Sequence, residues 1–233
     1  MTKKTTEYKI SLKELLEAGC HFGHQARRWN PKMKTYIYAK REGVHIFDLG
    51  QTAKKLEEAM KFVRDLVKEK KQLVFIGTKR QAATVIKEEA VKCSMPYVAV
   101  RWLGGIITNW EQIKKSVDKM MDLEKRKAAG EFKKYTKREN VLIDRDIDKL
   151  NRFLGGLRNL IQQPSAIFVV DIKKEIAAVR EARKKGITVI GIVDTNVDPE
   201  LVDLAIPAND DAVASIKYIV GKISQAVVDG SKN

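Results

Sequence analysis

Four short runs of this chain are apolar without alternation: "QLVFIG" (72–77), "YVAV" (97–100), "SAIFVVDI" (165–172) and "ITVIGIVD" (187–194). A strand that is apolar at every position is buried on both faces, and a sheet covered on both faces is mainly parallel with helices above and below. The intervening segments supply those helices. "QTAKKLEEAMKFVRDLVKEKK" (51–71), "KRQAATVIKEEAVKCS" (79–94), "KEIAAVREARKKG" (174–186) and "DAVASIKYIVGKISQAVVDG" (211–230) carry apolar residues at a 3.6-residue period. The alternation predicts a doubly wound α/β domain. At 233 residues and 44% hydrophobic content, the chain has room for one large core and a smaller insertion.

The insertion is where the rhythm breaks. Residues 111–150 contain no strand candidate, are dense in charge, and place apolar residues at helical spacing on either side of "AAGEFKKYTKRE". That pattern predicts an antiparallel helical hairpin, flanked by "WLGGIITNW" (102–110) and "FLGGLRNL" (153–160). The paired Gly-Gly steps read as hinges where the backbone approaches closely or turns unusually. Residues 1–110 and 151–233 then form a discontinuous α/β domain. Near the start, Ser11 and Glu14 have the spacing of a capping box for a short helix ended by Gly19. "CHFGHQARRWNPKMK" (20–34) reads as an irregular loop, and "TYIYAKRE" and "VHIFDL" around Gly43 as a hairpin.

Charge narrows the partners. The formal net charge is +15, and residues 1–110 hold 22 basic against 11 acidic residues. Such an excess favours a polyanion, nucleic acid ahead of a membrane surface. Two cysteines, Cys20 and Cys93, are too few for a disulfide framework and read as thiols. No apolar run is long enough to span a bilayer, and "MTKKTTEYKISLKELLEAG" turns acidic and amphipathic too early for a secretory signal. A cytoplasmic protein is expected.

Chemistry-bearing motifs are sparse. Gly77-Thr78-Lys79-Arg80, between a strand and a helix, offers a helix N-terminus and two cations to a phosphate. It lacks the G-x-G-x-x-G and G-x-x-x-x-G-K-[ST] cradles. A nucleotide cofactor, an RNA phosphate and a solvated turn stay open there, with RNA favoured over a nucleotide. Asp171 and Asp194 end strands where α/β enzymes keep functional groups, but they serve equally as caps and turns. The three histidines, His21, His24 and His45, accompany no catalytic motif. Segment 20–34 interleaves Arg27, Arg28, Lys32 and Lys34 with Phe22 and Trp29, a mixture suited to RNA phosphates and splayed bases. His21 and His24 with Asp194 or Asp210 form a candidate zinc set of mixed nitrogen and oxygen ligands. No other cofactor is indicated.

"AGCHFGHQARRWNPKMKTYIYAKREGVHIFDL", "FIGTKRQAA", "RWLGGIITNW", "FLGG", "FVVDI" and "GIVDTNVDPELVDLAIPANDDA" together resemble the bacterial form of the small-subunit ribosomal protein S-two family, in order and along essentially the whole chain. The resemblance implies a flavodoxin-like parallel sheet with a protruding coiled-coil hairpin. It also implies a non-catalytic constituent of the small ribosomal subunit in translation, bound to ribosomal RNA and neighbouring ribosomal proteins and helping to dock the mRNA-binding protein S-one. Neither a membrane nor a homo-oligomer is expected. On this reading Arg27, Arg28, Trp29, Lys32, Lys34, Lys79, Arg80, Arg101, Lys114 and Lys115 are the RNA-contacting candidates. The alternative is an α/β enzyme binding a nucleotide or another phosphate ligand.

Overall fold

The computed structural model describes residues 8–232; the basic start of the segment weighed above as a secretory signal lies outside them. Helix α1 (Leu12–Glu17) leads into a three-stranded antiparallel sheet of β1 (Phe22–Gln25), β2 (Ile37–Arg41) and β3 (Val44–Phe47), in the order β1-β3-β2. Then follow α2 (Leu49–Lys68), β4 (Leu73–Ile76), α3 (Arg80–Lys92), β5 (Tyr97–Val98), α4 (Trp110–Ala128) and α5 (Lys137–Leu154). The chain closes with β6 (Ala166–Val169), α6 (Ile176–Lys184), β7 (Thr188–Val193), β8 (Leu204–Pro207) and α7 (Val213–Ser231). The main sheet is parallel throughout, ordered β5-β4-β6-β7-β8. Numbered from its own first strand this is 2-1-3-4-5, the flavodoxin-like order.

Strand alternation divides the core. Leu73, Phe75, Phe168, Ile190 and Ile206 face α2, α3 and α7, while Val74, Ile76, Ile167, Val169 and Val189 face α6, Trp102, Ile106 and Ile107. Both sets are almost fully buried, which is why the strands show no polar alternation. Among the described residues α6 packs on the second face, joined by Val117 and Met120 of α4 and Leu154 of α5. Irregular segments complete it, including Met33, Phe47 and the 194–203 connection with Val197 and Val202.

Two elements correct the sequence reading. Segment 20–34 is not wholly a loop: it holds β1 and two 3-10 turns, Ala26–Arg28 and Pro31–Tyr36. β1 escapes detection because its four residues bury neither face well, so they carry no hydrophobic signature. β8 was also missed. Only the 3-10 turn Pro199–Leu201 lies between β7 and β8, so the helix that normally announces a parallel neighbour is missing there. The capping box at α1 is half realised: Ser11 accepts from the Glu14 amide, but Glu14 turns its carboxylate to the Tyr218 hydroxyl at 2.8 Å. The hairpin at Gly43 is as expected, with Glu42 and Gly43 both left-handed (φ 47° and 80°), the backbone of a tight β-turn matched to strand twist.

α4 and α5 are joined through the 3-10 turn Glu131–Lys134, and Lys127 of α4 meets Asp144 of α5 at 2.8 Å. At their base, Val117, Met120 and Leu154 enter the second core cluster. The entry to α4 is held by one carboxylate. Glu181 of α6 accepts from Trp102 Nε1 (3.1 Å), the amides of Gly105 (2.9 Å), Ile107 (3.2 Å) and Thr108 (3.1 Å), and Thr108 Oγ1 (3.0 Å). Burial opposes its ionisation, yet these donors outweigh burial and hold its pKa below the usual carboxylate value. The glycine steps divide by role: Gly105 has φ +97°, and a Cβ on Gly156 would stand 2.2 Å from the Tyr97 carbonyl oxygen, whereas one on Gly104 meets nothing. Gly156→Ala should therefore lower stability by about 2 kcal/mol or more, since backbone cannot yield as a side chain does, while Gly104→Ala should be near neutral. Thermal melts of the two variants check this.

Candidate functional site

The carboxyl ends of the parallel strands are where an α/β sheet of this order keeps ligands, and here they converge on Lys79. This residue is the N-cap of α3, and its side chain, which has only donors, makes no capping hydrogen bond. Its ammonium instead points at Asp211 (2.6 Å), Asp210 (2.7 Å) and Asp171 (3.4 Å). Burial works against the charge, but the hydrogen bonds to Asp210 and Asp211 prevail and raise its pKa above that of an ordinary lysine. Next to it the Thr78 amide and hydroxyl both donate to Glu175. The turn is thus lined by Asp171, Glu175, Asp210 and Asp211, and a phosphate placed there would face four carboxylates. Lys79 is an internal counter-ion rather than an open anion contact, which corrects the sequence reading. Gly77 has a packing role: its Cβ would stand 2.8 Å from Ile86 Cγ1.

Asp171 and Asp194 take the turn-forming role. Asp171, at φ +63°, accepts from the Lys174 amide through Oδ1 (3.0 Å). Asp194, 1% exposed, accepts from the Thr195 amide and hydroxyl, the Asp210 amide and His24 Nδ1 (2.9 Å). His24 Nε2 lies 3.4 Å from Asp211 Oδ2. The hydrogen bond to Asp194 raises the His24 pKa against desolvation. His24, Asp194 and Asp211 bring ligand atoms within 4.8 Å of one another, but this is not the zinc set read from the sequence. His21 packs its ring on Phe22, with centroids 4.0 Å apart, and Asp210 is committed to Lys79. Asp211 was overlooked because it abuts Asp210 and only the turn into α7 shows which carboxylate faces the histidine.

The basic arm presents a different electrostatic picture. Lys32 pairs with Asp198 (2.8 Å) and Glu200. Arg27 bonds only Gln25 through Nε (3.0 Å), and Arg28 and Lys34 are exposed with no carboxylate partner among the described residues. Arg80, Arg101, Lys114 and Lys115 are likewise exposed. Trp29 is half-buried against His45, with ring centroids 5.0 Å apart. The arm is tied to the main domain by the Asn30 amide to the Thr195 carbonyl (2.7 Å) and the His24 amide to Thr195 Oγ1 (2.9 Å).

A family model described as ribosomal protein S2 matches residues 15–230. The chain belongs to that family. It is 50% identical over 223 residues to "Small ribosomal subunit protein uS2" of Microcystis aeruginosa, covering 96% of this chain and 84% of that one. It is 49% identical over 221 residues to the protein of the same name from Synechocystis sp. (95% and 82%). To "Small ribosomal subunit protein uS2c" of Rhodomonas salina it is 50% identical over 222 residues (95% and 91%). The chain is accordingly a structural ribosomal protein of the small subunit and not an enzyme, and the nucleotide-binding enzyme alternative gains no support. No helix among the described residues is long and apolar enough to cross a membrane.

The strand-end cluster generates a pH dependence. Burial, with repulsion from Asp194 and Asp171, pushes the Asp210 pKa up to about 7 despite Lys79. A pKa raised on folding gives stability that is complete below the unfolded value and lost as pH rises through the folded one, and the raised His24 pKa acts in the same direction. The Asp210 contribution to the melting temperature should therefore fall between about pH 4 and pH 7, the His24 contribution should be lost only above the ordinary histidine value, and Asp210→Asn should flatten the lower part of that fall. Lys79→Met, which strands buried carboxylates, should cost about 3 kcal/mol in denaturant titration.

Proposed function

We propose that the chain holds its place in the small subunit by docking ribosomal RNA onto the cations its own carboxylates leave free: Arg27, Arg28 and Lys34 on the arm, then Arg80, Arg101, Lys114 and Lys115. The observation that carries this reading is the division among the cations themselves. Lys32 and Lys79 are neutralised internally, whereas the arm's other cations are exposed beside Trp29 with no carboxylate partner among the described residues. Each phosphate neutralised on duplex nucleic acid releases counter-ions and adds roughly 0.7 to 0.9 to the log-log salt slope. Filter binding to transcribed small-subunit ribosomal RNA should lose roughly 2 units of slope in the Arg27→Ala, Arg28→Ala, Lys34→Ala variant. Lys32→Ala should change it little. An unchanged slope in the triple variant would remove the arm from the RNA footprint.

Residues 111–150 serve on this reading as an inserted coiled-coil hairpin of the discontinuous domain, offering charged helices to neighbouring ribosomal proteins and RNA. The mRNA-binding protein S-one is a partner of the assembled particle, which works in the cytoplasm. Because Val117 and Met120 enter the second core cluster, the separable part of the hairpin is its outer portion. Replacing residues 122–144 by a short linker should leave the α/β domain folded and reduce incorporation into small subunits. Excising 111–150 should destabilise it. Circular dichroism and gradient sedimentation of the two deletions test the boundary.

A further inference from the structure

His45 is polar where the fold has no use for polarity. Strand alternation places it on the same face of β3 as Phe47, it is 8% exposed, and neither ring nitrogen has a hydrogen-bond partner. A leucine or phenylalanine would pack the same space without leaving two buried polar atoms unmet, a situation rare enough in folded proteins to need a reason. Burial, and then the charge of Lys40 opposite it on β2, push its pKa below the ordinary histidine value. The imidazole is therefore neutral at neutral pH, with one donor and one acceptor nitrogen.

What covers this ring is the indole of Trp29, tilted by 38° at 5.0 Å. Trp29 lies between the 3-10 turns that carry Arg27, Arg28 and Lys34. Its carboxyl-side neighbour Asn30 is anchored on Thr195, so the indole sits on a fixed backbone and is itself only half-buried. In the adjoining turn, Asn196 Oδ1 is a further buried acceptor without a partner. Aromatic surface, a donor–acceptor pair and unpaired cations are the chemistry that receives an unpaired ribonucleotide.

We propose that Trp29 and His45 form a site for one unpaired base of ribosomal RNA. The indole leaves the imidazole to stack on the base, the uncovered imidazole nitrogens bond the base edge or the 2′-hydroxyl, and Arg28, Lys34 and Lys40 meet the flanking phosphates. The proposal rests on the RNA-docking reading above and adds to it a base-recognising element with a moving part.

The test uses the full chain labelled with 5-fluorotryptophan, whose three tryptophans give three fluorine resonances; Trp29→Phe assigns one. A short single-stranded oligoadenylate should shift the Trp29 resonance, transcribed small-subunit ribosomal RNA should displace the oligonucleotide and shift the same resonance itself, and heparin should not shift it. His45→Phe, which keeps the packing and removes the nitrogens, should weaken oligoadenylate about tenfold without lowering the melting temperature, and Trp29→Leu should weaken it at least as much. If the wild-type chain fails to bind ribosomal RNA, the docking reading falls and this site with it. If it binds while the Trp29 resonance stays fixed, or while His45→Phe retains full affinity, only the base site falls. A shift produced equally by heparin, or by ribosomal proteins but not by RNA, overturns the base site as well.

Discussion

The ammonium of Lys79 lets the strand ends close. Three parallel strands deliver acidic residues to one small region, because their carboxyl ends and the turns beyond them lie side by side. Asp171 follows β6, Asp194 follows β7, and Asp210 and Asp211 follow β8. Without a cation, buried carboxylates so near one another would repel and desolvate at a cost of several kcal/mol. With one, the same carboxylates become anchors: Asp194 organises Thr195 and His24, and Thr195 in turn receives the amides of His24 and Asn30. The basic arm therefore rests on a chain of contacts that begins at a lysine of the opposite charge logic. A position that in related folds holds a ligand's charge holds the protein's own.

The second face of the sheet is governed by a similar economy of charge. Where a regular crossover helix would have covered Val74, Ile76 and Val169, the segment 102–108 does so as irregular backbone. Irregular backbone over a core leaves amide groups without partners. Glu181 answers by taking three of those amides together with the Trp102 indole and the Thr108 hydroxyl. That carboxylate also sets the direction in which α4 departs, since α4 begins two residues after Thr108.

Much of the architecture was legible in the sequence because burial on both faces leaves so plain a mark. β4, β6 and β7, the long helices and the Gly43 hairpin were all visible in apolar spacing and turn chemistry. β1 and β8 were not, the first because it is half-exposed and short, the second because no helix precedes it. The site was less legible for a different reason. Lys32, Lys79, Arg28 and Lys34 look alike as letters, and only three-dimensional proximity to Asp198, Glu200, Asp210 and Asp211 separates the spent cations from the free ones. The candidate metal set failed similarly: His21, just before β1, packs on Phe22, whereas His24, within β1, turns to Asp194.

The Thr195 anchor has a consequence for the order in which the molecule can form. The arm is near the amino terminus, but its docking partners lie beyond β7: Thr195 for His24 and Asn30, and the Asn209 amide for the Cys20 carbonyl. Contacts so distant along the chain form late and slow folding. A ribosome synthesising this protein thus releases the arm's cations early and undocked, and nearly the whole chain must emerge before Lys32 and Lys79 find the carboxylates that neutralise them. Until then the nascent segment is more basic than the finished surface, because the carboxylates that pair with Lys32 and Lys79 have not yet joined it.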